Sequence, residues 1–182
     1  MLTAALLLAL NVVWNILPIG ASARANETQR SVIIAGFLYN FAQFATWDGT
    51  PSTTDPIDFC IEQGKISSSV FNDWDNLQIR KRPLLVHEIT SLHDSEELAG
   101  CDLAFVSSNQ APQQELFDLA NQSQVLLVSD SPGFATSGGH IELFLSEGKF
   151  RFRVNLDSLE RSGVKLSSQV LRLAEIIGRD RN

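Results

Sequence analysis

The side chains best suited to chemistry in this 182-residue chain are three histidines, two cysteines, a Ser-Asp-Ser triplet and a pair of neighbouring arginines. His87 and His93 stand six positions apart, and His140 is remote from both. Neither HExxH nor a helical i, i+4 pair is formed, so zinc chemistry has no ligand set and the three read as structural or solvated imidazoles. Ser129-Asp130-Ser131 follows an apolar run. A serine hydrolase would need a G-x-S-x-G elbow there, and none is present; an aspartate that orders its own loop accounts for the triplet. Gly133, Gly138 and Gly139 surround Phe134-Ala135-Thr136-Ser137, which invites comparison with a phosphate-cradling loop. The segment lacks the GK[ST] ending and leads into a strand instead of a helix N-terminus, so the glycines read as turn residues.

Arg151 and Arg153 alternate with Phe150, Phe152 and Val154, which puts both guanidinium groups on one face of a strand together with Asn155. Guanidinium groups so placed can bind an anionic ligand or an acidic protein surface. They serve equally as solvated guards of an edge strand. With Glu142 on the preceding run, Arg151, Arg153 and Asn155 are the candidate partner contacts. No catalytic group, metal ligand set or cofactor motif emerges, and the chain reads as non-enzymatic.

The formal charge of −7 opposes nucleic-acid binding, which uses a basic patch, and opposes attachment to an anionic membrane surface. An apolar content of 44% with 19% charged residues suits one folded domain. Leu2–Ile19 is almost wholly apolar, and Ala21-Ser22-Ala23 and Ala23-Arg24-Ala25 both fit the small-x-small pattern of a signal-peptidase site. Asn11, Asn15 and Pro18 interrupt the run, and no Lys or Arg precedes it. The expectation is a cleaved signal peptide over 1–25 and a single domain over 26–182, with a retained anchor or a buried helix as alternatives. Sequons at Asn26 and Asn121 would matter only on a eukaryotic secretory route, which nothing else here supports.

The elements that must position these residues alternate. Val32, Ala35, Leu38, Tyr39, Ala42 and Phe44-Ala45 predict a helix over Glu27–Trp47, stopped by Asp48-Gly49-Thr50-Pro51. Strands are predicted at Ile57–Glu62, Leu84–Ile89, Leu103–Val106 and Val125–Val128. The last two lack alternation, as strands buried on both faces do. Short helices are predicted at Ser67–Asn76 and Pro112–Ala120, with a polar helix or loop at His93–Ala99. His140–Leu145 and Phe150–Asn155, joined by Ser146-Glu147-Gly148-Lys149, form a hairpin signal. Leu156–Ser162 reads as a helix ending at Gly163, and Ser167–Ile177 as a final helix with Leu171, Leu173, Ala174 and Ile177 on its apolar side. The class is α/β: a mainly parallel sheet flanked by helices, with a C-terminal antiparallel hairpin.

Cys60 and Cys101 are too few for a structural zinc site and too far apart for CxxC chemistry. Two buried thiols are one reading. In an exported, oxidising setting a bridge is the better one, worth roughly 3–4 kcal/mol on the chain-entropy model, less any strain.

Three blocks taken in order resemble a known family. They are Ala35-Gly36-Phe37-Leu38-Tyr39-Asn40-Phe41-Ala42-Gln43-Phe44 with Trp47; Cys101-Asp102-Leu103-Ala104-Phe105-Val106; and Val125 through Asp130, Gly133-Phe134-Ala135, Gly138-Gly139-His140-Ile141, Phe152-Arg153-Val154-Asn155 and Leu166 through Leu171. The set is similar to the YfiR family of bacterial periplasmic regulators. The resemblance implies a compact α/β repressor that binds the periplasmic domain of an inner-membrane diguanylate cyclase and thereby lowers cyclic di-GMP and biofilm formation. It implies an outer-membrane lipoprotein as a second partner and a homodimer as an oligomeric form. It also implies that Cys60 and Cys101 are the family's cysteine pair; a second pair known in the namesake has no counterpart here. The expected function is therefore that of a periplasmic regulator, with a periplasmic small-molecule binding module feeding a sensor kinase or transport system as the alternative.

Overall fold

A computed structural model describes residues 19–47, 55–72, 74, 76–90, 95–107 and 113–178, with side chains described throughout except at 19–25, 95 and 113. Residues 1–18, which carry most of the expected leader, lie outside it, as do His93 and the predicted stop at 48–51. The chain begins with α1 (Ile19–Phe44), β1 (Ala45–Trp47), β2 (Ile57–Glu62), a one-turn 3-10 helix (Ser68–Phe71), β3 (Gln78–Ile79) and β4 (Arg82–Ile89). It continues through α2 (Ser95–Ala99), β5 (Leu103–Val106), α3 (Gln113–Ser123), β6 (Leu126–Ser129), β7 (Ile141–Ser146) and β8 (Lys149–Asn155). It closes with α4 (Leu156–Ser162), β9 (Val164–Leu166), α5 (Ser168–Leu171) and β10 (Glu175–Ile177).

An eight-stranded sheet of order β10-β8-β7-β6-β5-β2-β4-β3 organises the described residues. Its pairings are parallel except at the β7–β8 hairpin and the small β3–β4 ladder. The α/β class read from the sequence is the observed one. Alternate residues of the central strands feed two separate cores. Ile57, Phe59 and Ile61 of β2, Leu103 and Phe105 of β5, and Leu126 and Val128 of β6 pack toward α1, which presents Ile34, Leu38, Phe41 and Ala42. Cys60, Ala104, Val106 and Leu127 point the other way, toward Leu98 of α2 and Leu116, Phe117 and Ala120 of α3. Coverage on both faces leaves little room for polar side chains, which explains the unbroken apolar runs Leu103–Val106 and Leu126–Val128. On the hairpin Ile141, Leu143, Phe152 and Val154 join the α1 core, and the other face is covered at its inner end by the turn segment 131–139.

Two predicted helices are corrected. Ala45–Trp47 leaves the first helix to pair antiparallel with β9, Thr46 opposite Lys165, and Trp47 donates from Nε1 to the carbonyl of Asp102 at 3.1 Å. The final helix is a single turn, and Glu175–Ile177 instead runs parallel to Arg153–Asn155. Leu171, Leu173, Ala174 and Ile177 do recur at helical spacing, but Leu173 is 77% exposed and Ile176 42%. The outer edge of β8 offers backbone groups in a row, which a strand can pair with and a helix cannot. The predicted helix from Ser67 also contracts, to the 3-10 turn Ser68–Phe71.

Cys60 and Cys101 form a disulfide with Cα atoms 5.8 Å apart, joining the middle of β2 to the residue just before Asp102 and β5, on the side of α2 and α3. It closes a loop of separation 41 that contains β3, β4 and α2. Breaking it frees a long segment in the unfolded chain. Cys60→Ala with Cys101→Ala should lower the unfolding free energy in urea by roughly 3–4 kcal/mol. A midpoint equal to that of the oxidised protein would show that the bridge carries no stability.

Candidate partner-docking face

The uncovered face of the hairpin is built by register. Glu142 stands opposite Arg153 and Phe144 opposite Arg151 across β7–β8, and Glu175 of β10 is level with Arg153 on the far side. This face points away from α1. The turn segment 131–139 covers only its inner end, where Glu142 is bound.

Glu142 is 1% exposed. A buried carboxylate must be hydrogen-bonded and paired, or it costs several kcal/mol. It accepts from the backbone N–H of Gly133 at 3.2 Å and of Ala135 at 3.1 Å, and from Arg153 Nη1 at 3.1 Å. Arg153 then reaches Glu175 at 3.3 Å, and its guanidinium carbon lies 4.1 Å from the centroid of the Phe144 ring. The result is a Glu–Arg–Glu chain across three strands with a cation–π contact on top. Asn155 completes the brace. Its amide donates to the carbonyl of Ala135 at 2.7 Å, while its Oδ1 accepts from Ser158 N at 3.0 Å and caps α4.

The loop that Glu142 holds explains the glycines. A Cβ on Gly139 would lie 2.1 Å from the Phe134 ring, and Gly138 combines a φ of +122° with close approach to Phe117. Phe117 and Phe134 meet edge to face at 5.4 Å. Glycine is required here so that two aromatic rings can pack on the main chain.

His140 is buried beside the same loop. Its Nδ1 accepts from Leu127 N at 3.0 Å, standing in for a ladder bond, so Nε2 carries the proton toward Asn121 Oδ1 at 3.2 Å. Burial, reinforced by the nearby Arg161 charge, pushes its pKa down to about 4.

Of the four residues singled out as partner contacts, Glu142, Arg153 and Asn155 are thus tied into the fold, and Arg151 is exposed. Sequence reasoning missed Phe144 and Glu175. Phe144 shares the parity of Glu142 and was recoverable; Glu175 was hidden by the false helix. Other reactive residues among those described are hydrogen-bonded within the fold. His87 pairs with Asp58 at 2.7 Å on the surface, Ser129 Oγ accepts from Ser131 N, and Asp130 binds Ser107 Oγ at 2.6 Å and pairs with Arg30. No group of three or more His, Cys, Asp or Glu able to hold a metal ion occurs among the described residues.

Glu142→Ala leaves two loop amides and Arg153 short of a partner, so it should cost about 2–4 kcal/mol in urea unfolding and speed exchange of the Gly133 and Ala135 amides. Unchanged exchange at those amides would show that the carboxylate does not hold the loop. For His140 the folded pKa lies below the ordinary 6.5. The unfolded chain therefore binds the extra proton between those values; stability is full above about pH 6.5 and falls as pH drops toward 4, by on the order of 3 kcal/mol. His140→Gln should flatten that part of the profile relative to the unsubstituted protein, and parallel profiles would refute the assignment.

A family model described as YfiR/HmsC-like matches residues 31–175, which takes in every element from within α1 to the start of β10. Among solved structures, a conserved domain protein of Vibrio cholerae O1 biovar eltor aligns with a TM-score of 0.45 and 12% identity over 67% of this chain and 54% of its own. The ABC domain of a Streptococcus pneumonia protein, solved with L-Trp, aligns at 0.47 and 8% identity over 67% and 55%. This chain spans about half the length of either.

Proposed function

This chain belongs to the YfiR/HmsC-like family, and from that premise we propose that it is an exported, non-enzymatic repressor of a membrane-bound diguanylate cyclase. The family is one of periplasmic regulators. The disulfide fits an oxidising compartment. No helix among the described residues is long and apolar enough to cross a membrane. The leader over 1–25 and a mature chain beginning near Asn26 belong to the same proposal.

The observation that carries the reading is the open hairpin face. Arg151 projects into solvent from a strand whose neighbours are locked by the Glu142–Arg153–Glu175 chain. Such a face is pre-organised, so little ordering entropy is lost when a partner docks. Inhibition needs only that the face binds the inactive state of the cyclase's periplasmic domain a few kcal/mol better than the active state. A lipoprotein that competes for the regulator would release the cyclase, and a homodimer would be one storage form. The small-molecule alternative gains less support, because the Arg153 charge is already paired with both Glu142 and Glu175.

Deleting the gene in its native host should raise cyclic di-GMP several-fold by mass spectrometry. The unsubstituted gene should restore the low level, and Arg151→Glu should restore it poorly at equal protein abundance. Cyclic di-GMP unchanged by the deletion would refute repression; full rescue by Arg151→Glu would remove this face from it.

A further inference from the structure

At the opposite end of the sheet, we infer that the outer edge of β4 accepts an extended, basic peptide segment of a partner protein as an added strand. The site is independent of the hairpin face. β4 pairs with β2 along Leu84–Ile89, but β3 covers its other side only at Arg82 and Pro83. Leu84 donates outward to the carbonyl of Leu77 at 3.1 Å, while the carbonyl of Ile89 accepts inward from Gln63 at 3.0 Å. Backbone direction alternates along a strand, so the N–H and C=O of Val86 and Glu88 face outward. No strand among the described residues pairs with them. Four main-chain groups in register, without a strand partner among the described residues, specify main-chain partners, which is the chemistry of an extended peptide.

Edge strands are commonly left open and blunted with charge, and Glu88 and His87 do blunt this one. Edge protection does not account for the groove beside it. A recess of about 650 Å³ runs along β4 on the α1 side, walled by Phe71 and Trp74 and floored by Ile61, Leu84 and Val86. Trp74 is held by edge-to-face contacts with Phe71 at 4.9 Å, Tyr39 at 5.9 Å and Phe59 at 6.3 Å. Side chains on one face of an added strand would enter this recess, so the edge supplies affinity and the aromatic wall selects apolar residues.

Charge decides between occupants. A second copy pairing antiparallel about His87 would set His87 against His87, bring the two Glu88 carboxylates into diagonal contact, and join two chains of net charge −7. A strand carrying Lys or Arg beside Glu88 meets attraction instead. The occupant is thus a partner segment alternating apolar and polar residues with a basic side chain near Glu88.

The test pans a phage library of random dodecapeptides on the purified oxidised protein. Enriched sequences should alternate and carry Lys or Arg. Synthesised, the best should slow exchange of the Val86 and Glu88 amides at least tenfold while leaving the hairpin amides unchanged. Val86→Pro removes an outward N–H without touching the β2 ladder and should weaken binding at least tenfold. Should that variant not fold, the amide protection in the unsubstituted protein decides alone. No enrichment of alternating basic sequences, or bound peptide without protection at Val86 and Glu88, overturns the inference. So does protection of the same amides by concentration alone, which would assign the edge to a second copy.

Discussion

The carboxylate of Glu142 is buried to 1% exposure under the turn segment 131–139, on the sheet face opposite α1, and the C-terminal half of the protein is arranged around satisfying it. Two backbone amides of the turn at 133–135 and one guanidinium do so. Each ligand imposes a further condition. The amides fix the turn, the turn puts the Phe134 ring against position 139, and position 139 must then be glycine. Arg153, drawn inward by Glu142, lies over Phe144 and turns its second nitrogen to Glu175, which ties the terminal strand to the sheet. A salt bridge this buried is weak evidence of net stability. Its consequence is geometric: it makes one arrangement of loop, hairpin and last strand far better than the others.

The division of labour across the sheet follows from burial. β5 and β6 are covered on both faces, and β2 everywhere but at its Asp58 and Glu62 side chains, so little of their surface is open to recognition. Their buried faces are pinned by the Cys60–Cys101 bridge instead. The two proposed docking places lie at the two ends of the sheet: the braced hairpin face at one, and the β4 edge at the other. The first offers a rigid surface with an exposed cation; the second offers main-chain hydrogen bonds beside an aromatic wall.

Much of this was legible from residue pattern. Ile57–Glu62, Leu103–Val106 and Leu156–Ser162 appear with the predicted bounds, because short apolar-rich runs and a terminal glycine are local signals. The polar side of the hairpin was legible by parity, down to Glu142, Arg151, Arg153 and Asn155. What those residues do was not. Whether an arginine faces solvent or a buried glutamate depends on a turn many residues upstream, and Arg151 and Arg153 look identical in the chain. The two helical misreadings have the same origin: Ala45–Trp47 and Glu175–Ile177 are strands because of distant partners, Val164–Leu166 and Arg153–Asn155, that no local window contains.

Docking of the hairpin face on the periplasmic domain of a cyclase is tested most directly by titrating that purified domain into the oxidised protein and following amide exchange residue by residue. Saturable binding that protects Phe144, Arg151 and the β10 amides, and leaves the central strands as they were, is the predicted result. No binding, or binding whose protection lies wholly away from the hairpin, would contradict it.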